Sequence, residues 1–144
     1  MHPFPHQYLV QASARPDGDV PLSAEGVRVI ESAAPKEFDG PGNQWSPEQL
    51  LTAAVADCFV LSFRAIAAAS KFAWVNLEAS TRGTLERAAG TMRFTRFETH
   101  AKLHLHAGAD VERAKRLLEK AEASCLVANS LSSERHLTLE VRIQ

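Results

Sequence analysis

Two cysteines, Cys58 and Cys125, are the residues of this chain best suited to covalent chemistry. A thiolate attacks electrophiles, and two thiols that meet can cycle through a disulfide. The two lie far apart in the chain, with no CxxC, no CxxCH and no Cys/His spacing that suits zinc, so one intramolecular pair is the most they can make. Each falls on a face of small apolar residues, Ala54 beside Cys58 and Ala121 and Ala128 beside Cys125. Small faces let helices approach closely. If the two helices are neighbours, the thiols come within the roughly 4.4–6.8 Å Cα separation that a disulfide needs. The alternative from pattern alone is a pair of inert core thiols, because free cysteine often packs as a small hydrophobe. His100, His104 and His106 form a second row, alternating with Ala101, Leu103 and Leu105. Without a converging carboxylate, and with Lys102 among them, they read as a solvated sheet face rather than a metal site. No metal or cofactor is expected.

The elements that must position these thiols follow from periodicity. The chain has 144 residues, 16 Lys+Arg against 17 Asp+Glu, and 45% hydrophobic residues. It is one domain, able to bury roughly 70% of its unfolded surface without disulfides or structural metal. The net charge of −1 gives no footprint for nucleic acid or an anionic membrane. Met1 to Pro5 lacks the features of a signal peptide, and the apolar stretch Leu50 to Ala69 is interrupted by Asp57 and Arg64. The expectation is a cytoplasmic protein with reduced thiols and no membrane partner.

His6 to Ser13 and Val27 to Ile30 read as strands, followed by a long loop from Ala33 to Ser46. Ser46-Pro47-Glu48-Gln49 is a helix start, with Ser46 as N-cap, Pro47 at the first helical position and Gln49 as capping-box partner. The helix runs to about Ser70, with Leu51, Ala54, Val55, Cys58, Leu61, Ser62 and Ala65 on its predicted apolar face. Phe72 to Leu85 and Met92 to His106 alternate as a long hairpin around a turn at Arg87 to Gly90. Asp110 caps a second helix that buries Val111, Ala114, Leu117, Leu118, Ala121, Cys125 and Ala128, with Cys125 late in the helix. His136 to Ile143 closes the chain as a strand. The order β-β-α-β-β-α-β predicts an α+β domain in which antiparallel sheets pack around two central helices.

Trp45-Ser46-Pro47-Glu48-Gln49-Leu50-Leu51, followed by Ala56-Asp57-Cys58-Phe59, resembles the central-helix signature of the OsmC-like family, which includes the organic hydroperoxide resistance proteins. Ala123-Ser124-Cys125 with Asn129 is similar to the family's second cysteine segment, and Arg15-Pro16-Asp17-Gly18 to its N-terminal Arg-Asp-Gly loop. Leu126 stands where the peroxidases have proline, Asp57 where a small residue is usual, and Pro16 is inserted into the arginine loop. The resemblance implies an intertwined homodimer and a thiol peroxidase in oxidative stress defence. Cys58 is then peroxidatic and Cys125 resolving, organic hydroperoxide is the substrate, and the reductant is an external dithiol, which the family suggests is a lipoylated protein.

The chemistry explains why those residue types belong together. A peroxide reacts with a thiolate far better than with a thiol, so a cation beside the attacking sulfur is needed. A guanidinium supplies that charge and can hydrogen-bond the developing alkoxide. Arg15 is the candidate, with Arg28 and Arg64 less favourably placed, and the family pattern assigns Glu48 to orient the guanidinium. Ten helical residues put Glu48 roughly 15 Å along the axis from Cys58, which argues that Arg15 and Glu48 serve Cys58 of a second subunit. Trp45, Phe38, Phe59 and Phe63 are candidates to line an apolar substrate pocket, or else ordinary core. A different class of function on the same fold is a redox sensor, or a binding protein for a small apolar ligand, without turnover.

Overall fold

The computed structural model describes Met1–Gln144 as two compact units, Met1–Leu50 and Leu51–Gln144. In the first, β1 (Gln11–Ala12), β2 (Val20–Ser23) and β3 (Ile30–Ser32) form an antiparallel sheet in that order, with Gln11 opposite Ser23 and Leu22 opposite Ile30. The strands read at His6 to Ser13 and Val27 to Ile30 overlap β1 and the first residue of β3, and β2 was missed because Pro21 interrupts it. The predicted loop after β3 is tied down by a one-turn 3-10 helix, Lys36–Phe38, and by the Gly40 amide donating to the Pro35 carbonyl at 2.9 Å. A Cβ on Gly40 would lie 1.7 Å from the Ala34 carbonyl oxygen, so only glycine fits. The unit's only buried residues are Ser32 and Ser46, while Tyr8, Leu9, Val10, Val27 and Val29 are exposed. It has strands but no apolar core of its own.

Helix α1 spans Pro47–Ala69, as its capping signal predicted. Both halves of the capping box are made: the Gln49 amide donates to Ser46 Oγ and the Ser46 amide to Gln49 Oε1, each at 3.1 Å. In the second unit its buried stripe is Val55, Phe59, Phe63 and Ala67, at i, i+4 spacing. That stripe is rotated from the predicted face, and Leu61 and Ala65 are exposed. A helix apolar on nearly all sides has no strong periodicity to choose among its faces. By length and composition α1 could cross a membrane, yet Phe59, Phe63 and Ala67 are fully buried against other parts of the same chain.

The sheet that α1 packs on contains β4 (Asn76–Ala88), β5 (Thr91–Leu105) and β6 (Glu134–Ile143) in that order. β4 and β5 form the predicted hairpin around Ala89-Gly90, both with positive φ (51° and 81°), the twist that a two-residue hairpin loop requires. β5 and β6 are parallel, from Arg96 opposite Glu134 to Leu105 opposite Ile143. This corrects the expectation of purely antiparallel sheets. The helix between β5 and β6 crosses one face of the sheet and returns the chain to the end where β5 began, so the strand that follows must run the same way. That helix, α2 (Val111–Ser124), starts at Asp110, whose side chain accepts from the Arg113 amide at 2.9 Å, and buries Ala114, Leu117, Leu118 and Ala121. The predicted apolar face of α2 is the observed one. Phe59 and Phe63 from α1, Leu103 and Leu105 from β5 and Leu118 from α2 are the largest fully buried side chains of the main core.

Candidate active site

α2 ends at Ser124, short of the Cys125 and Ala128 that the sequence reading placed on its apolar face. Cys125 is not in the helix: with φ −65° and ψ 101° it breaks the chain between α2 and a short helix, α3 (Leu126–Asn129). The break turns the Cys125 side chain into a second, smaller cluster with Val55, Phe97 and Ala128, against which Leu51, Cys58, Phe94, Val127 and Leu131 pack. The two cysteines, distant in sequence and free of any disulfide, therefore share one apolar cluster of the second unit. They are close enough for the Cys58 thiol to raise the pKa of Cys125.

The two sulfurs differ in exposure and in neighbours. Cys58 is half-buried on α1, one turn from the Ser62 hydroxyl at 4.0 Å. Cys125 is 0% exposed, and its thiol points at the Val55 carbonyl, 3.9 Å away. Burial is the largest influence on Cys125 and pushes its pKa up from 9.0 to about 11. The Ala128 amide, aimed at the sulfur, opposes the rise, whereas the Cys58 thiol and the Glu122 carboxylate add to it. At neutral pH Cys125 is a protonated, enclosed thiol. Cys58 is the sulfur that a solute can reach.

Arg15 and Glu48 lie in the first unit. Arg15 is exposed on the turn after β1 and lines a cleft with Ser13, Asp17, Asp19 and Glu31, while Glu48 is half-buried in the first turn of α1. Of the proposed pocket aromatics, Phe59 and Phe63 are fully buried in the main core. Trp45 and Phe38 are exposed. The aromatic rings beside the thiols are instead Phe94 and Phe97 of β5, stacked with centroids 5.1 Å apart. Both fell within the predicted strand, and the alternation that placed Ala101 and Leu103 inward also placed Phe97 there. Asp57, next to Cys58, is exposed and turned away from the cluster. His100 and His104 each face a carboxylate on a neighbouring strand, Glu140 and Glu78, at 3.4 Å.

A pair of free thiols, one enclosed and one half-buried, set between two helices and a mixed three-stranded sheet, defines an α+β dithiol protein. The chain belongs to the family described as OsmC-like protein, whose model matches residues 40–140. It is 26% identical over 142 residues to the uncharacterized protein YmaD of Bacillus subtilis, covering 96% of this chain and 95% of that one. Its fold matches an OsmC-like protein of unknown function from Vibrio cholerae at TM-score 0.85 and 15% identity, over 93% of this chain and 99% of that chain. It also matches an organic hydroperoxide resistance protein from Elizabethkingia anophelis at TM-score 0.75 and 22% identity, over 98% of this chain and 100% of that chain.

Proposed function

We propose that this protein is a cysteine-based peroxidase for organic hydroperoxides, acting in oxidative stress defence. The observation that carries the reading is the pairing of a half-exposed Cys58 with a fully buried Cys125 in one apolar cluster. The Cys58 thiolate attacks the outer peroxide oxygen; the O–O bond breaks, the sulfur becomes a sulfenic acid, and the departing alkoxide takes a proton to leave as an alcohol. The Cys125 sulfur then attacks the sulfenic sulfur, and the hydroxide that leaves carries off the Cys125 proton as water. An external dithiol, of which a lipoylated protein is the proposed example, reduces the disulfide and is itself oxidised. The apolar lining from Leu51, Phe94, Phe97 and Leu131 favours bulky organic peroxides over hydrogen peroxide.

In this reading Arg15 activates the thiolate and Glu48 orients it, both supplied by the partner subunit of a homodimer. Support for the dimer comes from the first unit, whose large apolar residues Tyr8, Leu9 and Val10 are exposed while nothing apolar is buried. An apolar surface of that kind marks an interface. Stopped-flow mixing of the reduced protein with cumene hydroperoxide and with hydrogen peroxide, followed by thiol counting, tests the reading. Rapid loss of both thiols with the organic peroxide is expected. Cys58→Ser should abolish turnover, and Cys125→Ser should leave a single turnover and a trapped sulfenic acid. Thiols that survive minutes of millimolar peroxide refute the enzyme and favour a sensor or ligand-binding role.

A further inference from the structure

The break at Cys125 has no glycine and no proline to make it. Continuing α2 through Cys125 would need only a turn of its ψ from 101° to about −42°, so something must hold the chain out of the helix. Arg135 of β6 meets both sides of the break through the arms of its guanidinium. Nε donates to the Glu122 carboxylate at 2.8 Å, Nη2 donates to the Glu122 carbonyl, and Nη1 donates to Asn129 Oδ1 at 2.6 Å. The Glu122 carbonyl also accepts from the Cys125 amide at 3.2 Å, and the Cys125 carbonyl accepts from the Asn129 amide at 2.9 Å. The Asn129 side-chain amide donates to the Ala123 carbonyl at 3.1 Å. The last turn of α2 and the end of α3 are thus fastened to one planar fork. A guanidinium can hold such a geometry where an ammonium cannot. The fork stands on a rigid element: Arg135 is opposite Phe97 in the β5–β6 ladder, and Phe97 packs in the same cluster as Cys125.

We infer that Arg135 is a positioning residue for the redox pair, its contacts to Glu122 and Asn129 holding the α2–α3 break that keeps the Cys125 sulfur in the cluster it shares with Cys58. The inference rests on the proposed closure of a Cys58–Cys125 disulfide. It concerns the second chemical step and leaves the first untouched, because none of these contacts involves Cys58.

Ellman's disulfide separates the two steps without peroxide. The Cys58 thiolate attacks it and expels one thionitrobenzoate. The Cys125 thiolate, its proton lost to solvent, then attacks the Cys58 sulfur and expels a second, so the pair loses two electrons and the reagent gains them. In Arg135→Ala the first phase should stay within about twofold of wild type and the second should slow about tenfold or more, as expected when a reacting atom is displaced by a fraction of an ångström. Asn129→Ala, which removes one arm's partner and disturbs the fold less, should slow the second phase by about threefold. The decisive variant adds Leu126→Pro to Arg135→Ala. Leu126 is the first residue of α3 and 70% exposed, a position that accepts proline, and a proline there disfavours the helical region for the residue before it, which is Cys125. The second phase should then recover to within about threefold of wild type. A second phase unchanged in Arg135→Ala, one still slow in the double variant, or both phases altered alike would each overturn the positioning role. Release of a single thionitrobenzoate per wild-type chain would instead sink the disulfide cycle itself, and this inference with it.

Discussion

Removing the Cys125 thiol should flatten the alkaline limb of this protein's stability curve. The thiol ionises near 9.0 in the unfolded chain and at about 11 in the folded one, chiefly because the sulfur is buried. A raised folded-state pKa means that between these values the unfolded chain holds fewer protons than the native one. The stabilisation is therefore complete below pH 9 and is lost as the pH rises through 11. Two pH units correspond to about 3 kcal/mol, a large part of the roughly 5–15 kcal/mol that holds a domain together. Urea unfolding of the reduced wild type and of Cys125→Ala at pH 7.5, 9, 10 and 11 measures the difference. The variant should start less stable because of its cavity, and the gap should narrow by about 2 kcal/mol between pH 9 and 11, the rest of the change falling on either side of that range. A gap that stays constant across that range would show that the folded Cys125 ionises like a free thiol, and the enclosure argument would fail. The same pKa leaves roughly three thiolates in ten thousand at pH 7.5, so closure of the disulfide should quicken about tenfold per pH unit until the thiol titrates.

Three further outcomes follow from local geometry. A Cβ on Gly83 would lie 2.8 Å from both the Phe97 ring and Thr52 Oγ1 and 3.0 Å from the Phe94 ring, so Gly83→Ala should cost about 1–3 kcal/mol in urea unfolding. The same variant should disturb the packing around the thiols, read as a changed rate of Cys58 alkylation. Ser46→Ala removes the acceptor of the Gln49 amide at a fully buried cap and should lower stability by about 1 kcal/mol by thermal or urea unfolding. Ala89→Asn should raise stability by about 0.5 kcal/mol, because Ala89 holds φ 51° in a hairpin loop where asparagine before glycine is preferred.

The parts of the fold legible in the sequence are those set by neighbours along the chain. The start of α1 was readable because Ser46 and Gln49 satisfy each other's amides within one turn. The apolar stripe of α2 was readable because its other face is charged, and the β4–β5 hairpin because its two halves alternate around a short turn. The rotation of α1 was not, since its sides are too alike for periodicity to separate. The resemblance of the Glu48-to-Cys58 segment identified the family, and local spacing put both thiols on small apolar faces.

The sequence by itself determined the start of α1, the β4–β5 hairpin and the apolar stripe of α2, because caps, turns and periodicities are short-range interactions. The tertiary structure alone decided that β6 runs parallel to β5, that α2 stops before Cys125, and that one thiol is enclosed while the other stays accessible. Each of these depends on groups far apart in the chain: Arg135 reaches from β6 to the Glu122 carbonyl, and the Val55 carbonyl and Phe97 close over the Cys125 sulfur. Only when the chain has folded do those groups meet, and the difference in burial that follows separates the roles of two chemically identical side chains.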